Sequence, residues 1–323
     1  QYRGIYNQYF LVPSELDSQL NNSRHFHADT NSESKGGMER MYRRVVVVDL
    51  VSACASECSY CVRGYYPKFA LSNKRIDEIV ANIASTKYLK EVLITGGDPF
   101  VSAKKLMYMI SKIEETAENI HFIRIGTRIP VQSPNLINGE LYNFFDSLRR
   151  VKVEVACQVN HPFELQQETC DIFFNLKNVG VETYSQNVLL KGVNDNIEIL
   201  YELYDKLRYL GVLPHYFFHA VPLKGTDQFR TSVQKGLDLI QELTSSGHLS
   251  GRAKPQYALI TDVGKVNLYQ GAILEKNNNN LIIKTSYKLS DRQLWNSSYK
   301  VPKNAKINSD GTLTVKYKDG KDI

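Results

Sequence analysis

The sequence predicts an α/β fold, namely a partial (β/α)6 barrel with a TIM-like arrangement of strands and helices. Two observations lead to this prediction. From residue 44 onward, short apolar runs alternate with amphipathic stretches, and the alternation repeats six times. The alternation is absent on both sides of this region, which predicts an extension at each end. In barrels of this kind the functional loops follow the C-terminal ends of the strands.

Each repeat of the alternation gives one predicted strand and one predicted helix. The pairs cover residues 45–50 and 76–84, 91–95 and 104–115, 121–125 and 141–148, 151–155 and 163–176, 182–189 and 197–210, and 215–220 and 233–243. Residues 256–260 form a further predicted strand. Strands that alternate with helices build parallel sheets with right-handed crossovers. Six units favour an incomplete barrel, although a flat sheet stays open at this point.

The changes in texture divide the chain into three predicted parts. Residues 1–43 form a polar, aromatic N-terminal extension, 44–268 the barrel, and 269–323 a small β-rich C-terminal segment. In the last part, residues 281–283 and 313–317 are predicted strands, residues 277–280 a polar turn, and Asp310-Gly311 a hairpin turn.

Composition excludes several classes of protein. Apolar residues make up 42% of the 323 residues, but no run of 18 predicts a membrane span. The net charge of +6 is scattered, so we expect no nucleic-acid partner. The chain begins with Gln1 and not with Met, so we expect it to be part of a longer translated product. It shows no signal-peptide pattern, and we expect a cytoplasmic location.

The five cysteines are unevenly distributed. Three lie within eight residues, whereas Cys157 and Cys170 are isolated. An odd number with one tight cluster is not typical of a secreted disulfide framework. The distribution indicates a reducing compartment and a metal site.

The clustered cysteines are Cys54, Cys58 and Cys61, directly after the first predicted strand. Three thiolates can bind three irons of a cubane cluster and leave the fourth iron without a protein ligand. A zinc knuckle or unrelated thiols are the alternatives. Zinc sites usually combine two CxxC or Cys/His pairs, and no second pair follows here.

This spacing, with the aromatic Tyr60 just before the last cysteine, resembles the CxxxCxφC motif of the radical S-adenosylmethionine superfamily. The resemblance includes Gly96-Gly97-Asp98, one strand–helix unit later, where glycines allow a close approach of the backbone to a ligand. It implies a 4Fe–4S cluster that binds S-adenosylmethionine and cleaves it, after one-electron reduction, to a 5′-deoxyadenosyl radical. Tyr60 and the Gly-Gly-Asp segment are then cofactor-binding residues.

A narrower resemblance, to the lysine 2,3-aminomutase family of pyridoxal-phosphate-dependent enzymes, extends over about residues 40–268. Its motifs occur in the order Arg124-Ile-Gly-Thr-Arg128 with Pro130, Asn160-His161-Pro162, the stretch from Gln186 to Asp195, Phe229-Arg230-Thr with Lys235-Gly236, Ser250-Gly251, Pro255 and Lys265. Each motif is weak alone, and their collinear order carries the resemblance.

The narrower resemblance implies a function for individual residues. Lys265 matches the lysine that binds pyridoxal phosphate covalently, and Arg63 matches the arginine that binds the α-carboxylate of the substrate. Residues implied to bind cofactors are Arg40 and Arg44 for the phosphate, Gln186 for the adenosyl moiety, and Arg128 and His161, for which a scaffold role is equally open.

The sequence departs from lysine-specific members at two positions. Those enzymes carry aspartates that hold the distant ammonium of lysine, where this chain has Val221 and Ile260. Asp262, His219 and Lys224 lie nearby and are able to restore polarity. A buried ammonium without a counter-charge is costly, so free L-lysine is not the expected substrate.

The sequence therefore predicts an amino-acid 2,3-aminomutase-like isomerase that moves an α-amino group to the β-carbon. Expected partners are a small amino acid, an electron donor such as a reductase, flavodoxin or ferredoxin, and a second copy of the chain in a homo-oligomer. One alternative is a radical enzyme that performs elimination or bond cleavage on the same scaffold. Another is a non-catalytic zinc or iron–sulfur binding module in a larger assembly.

Overall fold

In the part of the chain that the computed structural model describes, residues 3–10, 37–40, 42–63 and 69–322, nine strands form the larger sheet. They follow one another in the sheet in chain order: β1 (Met38–Glu39), β2 (Val45–Val51), β3 (Glu91–Gly96), β4 (Phe122–Thr127), β5 (Lys152–Cys157), β6 (Glu182–Leu189), β7 (Leu213–His219), β8 (Gln256–Thr261) and β9 (Gly264–Asn267).

Strands β2 to β8 are parallel to their neighbours, whereas β1 and β9 pair antiparallel at the two edges. The sheet curls into a half-barrel, which confirms the predicted fold class. All six predicted strand–helix pairs are present, and the further predicted strand is β8.

The described helices begin with α1, a single turn before the barrel, and mostly cover the outer face of the sheet. They are α1 (Arg3–Tyr6), α2 (Asn73–Ser85), α3 (Ala103–Thr116), α4 (Ile129–Gln132), α5 (Gly139–Ser147), α6 (Gln167–Asn178), α7 (Ile197–Tyr209), α8 (Val233–Ser245) and α9 (Leu289–Gln293). None of them, in the described residues, combines the length and apolarity that a membrane crossing needs.

Helix α2 shows how the apolar pattern produces this packing. Ile76, Ile79 and Ile83 recur at helical spacing and are buried. The Ser72 side chain accepts a hydrogen bond from the backbone N–H of Arg75 and so caps the first turn. The helix therefore begins three residues before the apolar pattern that predicts it.

The C-terminal segment forms a separate antiparallel sheet in the order β10, β11, β13, β12. The bounds are β10 (Ile273–Asn277), β11 (Asn280–Lys288), β12 (Ala305–Ile307) and β13 (Thr312–Lys318). The two predicted strands lie within β11 and β13. Gly311 has a positive φ of 79° in the turn before β13, at the predicted Asp310-Gly311 hairpin.

The residues after β13 bind the loop that joins β7 to α8. The buried Arg230 donates hydrogen bonds to the carbonyls of Lys318 and Asp319. The Asp319 carboxylate accepts from the N–H of Val233, the first residue of α8, at 2.8 Å. The C-terminal sheet is thus attached to the loop that, as described below, forms part of a cavity.

Candidate functional site

A cavity of about 280 Å³ lies at the C-terminal ends of the parallel strands. This is where ligands bind in barrel folds. The predicted site residues that line it are Cys54, Cys58, Tyr60, Cys61, Arg63, Gly96, Gly97, Asp98, Arg128 and Gln186. The strands therefore bring together residues from four separate parts of the barrel: the loop after β2, the end of β3 with its loop, the residue after β4, and β6.

The three clustered cysteines lie on the loop after β2 and are all free thiols. Cys54 is exposed, and Cys58 and Cys61 are partly buried. The backbone N–H of Arg63 donates to the Cys61 sulfur at 3.3 Å. Three thiols on one loop, facing one cavity, are the donor set that a four-iron cluster with one open iron requires.

The remaining two cysteines do not line this cavity. Cys157 is buried at the end of β5, and burial raises the pKa of its thiol well above the usual range. Cys170 lies on α6 and is partly buried. Their placement agrees with the expectation that the cluster site uses three thiols.

Two glycines allow the loop after β3 to cross the cysteine loop. Gly97 donates to the carbonyl of Val51 at 2.6 Å, and Asp98 donates to that of Ala53 at 2.8 Å. A Cβ atom added to Gly97 would lie 2.1 Å from the Ala53 carbonyl oxygen. Gly96 has a φ of +125°, which side chains rarely adopt. The close approach is therefore to the cysteine loop itself.

We expect Gly97→Ala to displace the cysteine loop, because the added methyl group overlaps a backbone oxygen that cannot move alone. The destabilisation should be about 1–3 kcal/mol, the usual cost of overpacking. Iron content after anaerobic reconstitution and the midpoint of thermal unfolding should both fall. Gly139→Ala is the matched control, since a Cβ there meets nothing within 4 Å. Normal iron content in the Gly97 variant would contradict this account.

Asp98 connects the loops that follow β3 and β4. Its buried carboxylate accepts from the Thr127 hydroxyl at 2.8 Å and from the backbone N–H of Arg128 at 2.6 Å. Burial raises the pKa of Asp98 to about 6, although these hydrogen bonds oppose the shift. Asp98 lines the cavity, but its hydrogen bonds fix the backbone beside the cluster loop.

Arg128 and His161 differ in their surroundings. Arg128 is buried, lines the cavity and donates to the Cys58 sulfur at 2.8 Å. His161 is outside the lining; its Nδ1 accepts from the N–H of Phe163 and caps the 3-10 helix Pro162–Glu164. Burial lowers the pKa of His161 and favours the neutral ring. The structure thus places Arg128 at the cavity and His161 outside its lining, at the start of a 3-10 helix.

Arg63 is held by two acidic side chains. Its guanidinium forms ion pairs with Asp49 on β2 and, at 3.5 Å, with Glu39 on β1. Burial raises the pKa of Glu39 to about 6, while Arg63 opposes the shift. Arg63 lines the cavity, so a substrate carboxylate would share its guanidinium with these acids.

Lys265 lies on β9 directly opposite Ile260 of β8. Side chains at directly opposite positions of paired strands project from the same face, and Ile260 lines the cavity. Lys265 itself is not among the lining residues; its Nζ lies 3.6 Å from the ring centroid of Tyr216. Burial, and then the charge of Arg124, lower the pKa of Lys265 to about 8.

The two arginines before β2 are not brought to this cavity. Arg40 donates to the Tyr88 hydroxyl at 2.9 Å, and its guanidinium lies 5.0 Å from the ring centroid of Trp295. Arg44 is exposed next to the start of β2, at the end of the strand opposite the cavity. Their implied contact with a phosphate stays a prediction.

Val221, Ile260 and His219 all line the cavity. The Nε2–H of His219 donates a hydrogen bond to the Thr231 carbonyl at 2.9 Å, since a carbonyl can only accept, and Nδ1 is left to accept from the Tyr317 hydroxyl at 2.8 Å. Burial lowers the pKa of His219 to about 3, so the ring is neutral. These three side chains give the cavity an uncharged wall.

Asp262 and Lys224, the other two polar residues near this wall in sequence, do not line the cavity. The Asp262 carboxylate accepts a hydrogen bond from Asn304 of the C-terminal segment at 2.5 Å and does not line the cavity. Lys224 also lies outside the lining.

Residues 3–10 pack against the cysteine loop, although no motif in the sequence predicts a function for them. The Gln8 carbonyl accepts from the N–H of Ser59 at 2.9 Å. The buried Gln8 side chain accepts from Arg128 and Asn160, both at 3.1 Å. These contacts join residues far apart in the chain, and no local motif announces them.

Comparisons with known proteins agree with this geometry. Residues 42–157 match a family model described as a 4Fe-4S single cluster domain. The fold is similar to that of a radical SAM methyltransferase from Sphaerobacter thermophilus, with a TM-score of 0.51 and 21% identity, over 70% of this chain and 69% of that chain. The family model indicates a 4Fe–4S cluster, and the curated relatives described next identify the chain as a radical S-adenosylmethionine protein, whose cofactors include this cluster and S-adenosylmethionine.

Two curated relatives narrow this class. A putative L-lysine 2,3-aminomutase of Aquifex aeolicus is 33% identical over 71% of this chain and 62% of its own length. The L-lysine 2,3-aminomutase of Buchnera aphidicola is 30% identical over 70% of this chain and 68% of its own length. The chain belongs to the lysine 2,3-aminomutase-like family. It spans somewhat less than two thirds of the first relative's length.

Proposed function

We propose that this protein binds pyridoxal phosphate in addition to its cluster and moves the α-amino group of an amino acid to the β-carbon. One observation carries the proposal. The three-thiol loop and the uncharged wall formed by His219, Val221 and Ile260 face the same cavity, and Lys265 projects from the strand beside that wall.

The cofactors supply the bond-breaking chemistry when they are bound: S-adenosylmethionine at the open iron for hydrogen abstraction, and pyridoxal phosphate for holding the migrating nitrogen. The residues of the chain bind the cofactors and orient the substrate. Cys54, Cys58 and Cys61 hold the cluster, and a reductase, flavodoxin or ferredoxin would donate the electron. Arg63 offers its guanidinium to the substrate carboxylate and is itself aligned by Asp49.

Lys265 has the properties that a covalent cofactor-binding lysine needs. Such an amine reacts as the neutral base, so a lowered pKa increases the reactive fraction at neutral pH. Burial and Arg124 provide this lowering, and the tyrosine ring beneath Nζ restricts the position of the side chain. These properties of Lys265 support the proposed cofactor, whereas its phosphate would need ligands other than Arg40 and Arg44 in this arrangement of the chain.

The uncharged wall supports an amino acid with a neutral side chain as the substrate. Two branched apolar residues, Val221 and Ile260, replace the aspartates implied for lysine-specific enzymes. His219 adds no charge, because burial lowers its pKa to about 3, and both of its ring nitrogens are already bound by protein groups. A buried ammonium would find no partner among these three side chains and would cost several kcal/mol.

We expect L-lysine to turn over at least about tenfold more slowly than a neutral amino acid, the ratio that 1.4 kcal/mol of discrimination gives. The measurement is a competition assay under anaerobic, reducing conditions, in which lysine and neutral, acidic and aromatic amino acids share one reaction. Mass spectrometry identifies the consumed amino acid and distinguishes β-amino acids from products of elimination or cleavage.

Val221→Asp provides the matched variant for this assay, since it restores one carboxylate to the wall. Its relative use of lysine should rise, whereas Asp262→Asn should leave the preference unchanged because Asp262 faces Asn304. Consumption of lysine ahead of every other amino acid by the unmodified protein would overturn the proposed specificity, and loss of that preference in Asp262→Asn would identify Asp262 as the residue that binds the ammonium.

A further inference from the structure

Arg128 is a buried cation in direct contact with a ligand of the cluster. It follows β4, and its side chain is 7% exposed. Nη1 donates to the Cys58 sulfur at 2.8 Å and to the Tyr60 hydroxyl at 2.5 Å. A second, neutral donor to the same sulfur is the Gln132 amide at 3.5 Å.

The opposite side of the guanidinium faces a carboxylate. Nη2 forms an ion pair with Glu164, whose side chain is 3% exposed. Glu164 is itself held by the backbone N–H groups of Asn160, at 2.5 Å, and His161, at 3.0 Å. Arg128 therefore lies between a fixed carboxylate and the sulfur of Cys58.

This arrangement acts on the electron affinity of the cluster. Reduction adds one negative charge to the cluster and its thiolates, and a nearby buried cation stabilises the reduced form more than the oxidised form. Hydrogen bonds to the sulfurs, the local charge and burial are the means by which proteins set cluster potentials. Glu164 acts in the opposite direction, because its negative charge disfavours reduction.

We propose that Arg128 and Glu164 form a charge pair that sets the reduction potential of the cluster, with Arg128 raising it through Cys58 and Glu164 lowering it. No covalent bond forms or breaks in this step. The cluster gains one electron from an external reductant, and the pair changes only how strongly that electron is held.

The contribution of the side chain is separable from that of the backbone. The backbone N–H of Arg128 donates to Asp98 and joins the two loops whatever side chain is present. Substitution at position 128 thus leaves this junction in place. The effect of the side chain on the potential can be measured in variants that retain the cluster.

The test is an EPR-monitored potentiometric titration of the reconstituted full chain with dithionite, without S-adenosylmethionine, pyridoxal phosphate or amino acid. We expect Arg128→Gln to weaken reduction about tenfold, which for a one-electron couple is about 59 mV. Arg128→Lys should have a smaller effect in the same direction, because an ammonium keeps the positive charge but lacks the several N–H donors of a planar guanidinium. Glu164→Gln should shift the potential in the opposite direction.

Arg150→Lys is the matched control, since Arg150 is another arginine held by several hydrogen bonds, in its case to the backbone carbonyls of Glu114 and Ile120, away from the cluster loop. If Arg128→Gln fails to hold iron, the reduction potentials of Arg128→Lys and Glu164→Gln test the proposal in its place. Opposite shifts in these two variants support the proposal, because damage to the loop would not give opposite signs. Unchanged potentials, or shifts of the same sign, would overturn it. The titration contains no substrate, so its result is independent of the proposed aminomutase function.

Discussion

Cys58→Ala is expected to reduce the iron content of reconstituted protein from about four atoms per chain to near zero and to abolish formation of 5′-deoxyadenosine. The three thiols on the loop after β2 are the protein ligands available to the cluster in this cavity. Removing one leaves two, and it also removes the sulfur that accepts a hydrogen bond from the buried Arg128. Iron and sulfide analysis, followed by product detection after reduction with dithionite, measures both effects.

Cys170→Ser is the control for this experiment, because Cys170 is a partly buried thiol on α6 outside the cavity. It should retain about four irons and normal cleavage of S-adenosylmethionine. Two results would disprove the assignment: an intact cluster in Cys58→Ala, or stoichiometric zinc without any adenosine product in the unmodified protein.

Much of the fold was predictable because its signals are local. The run Val45–Val51 is a buried parallel strand, and the apolar spacing of residues 76–84 is that of α2. The start of α6 was predicted too early, at residue 163. Residues Pro162–Glu164 form a 3-10 helix instead, which His161 caps, and α6 begins at Gln167.

Strand β9 could not be predicted from local pattern, since it has only four residues. It exists because it pairs with the free edge of β8 after a tight turn. Gly264, with a φ of +123°, allows that turn, and the Thr261 hydroxyl donates to its carbonyl at 2.6 Å. Lys265 consequently lies on a short edge strand, directly after this glycine.

In the candidate site, too, local features were predictable and contacts between distant parts of the chain were not. The three cysteines lie within eight residues, and Gly96 and Gly97 are adjacent in sequence. The proximity within each of these two groups could therefore be inferred. The partners of these residues could not, because they come from distant parts of the chain. Gln8 reaches Arg128 across 120 positions. Asp49 binds Arg63 through an ion pair that no spacing rule predicts.

Lys265→Ala is expected to abolish covalent capture of pyridoxal phosphate. In the unmodified protein, borohydride treatment in the presence of the cofactor should fix one equivalent to Lys265, as peptide mapping by mass spectrometry would locate it. Lys206→Ala is the control; this lysine is exposed and paired with Glu202. A label on another lysine, or none, would contradict the assignment of Lys265 and leave the cluster chemistry untouched.

The pH dependence of this capture gives the assignment a second readout. A lysine with a pKa of about 8 has about one tenth of its amine neutral at pH 7, against about one in three thousand for an ordinary lysine. Deprotonation produces the reactive form, so capture at Lys265 should rise with pH and level off above about 8. At surface lysines it should keep rising toward pH 10. Arg124→Gln removes a charge that lowers this pKa, and the plateau should then move to higher pH. A pH profile that follows the surface lysines would show that the amine of Lys265 is not held in the buried position from which its reactivity is inferred.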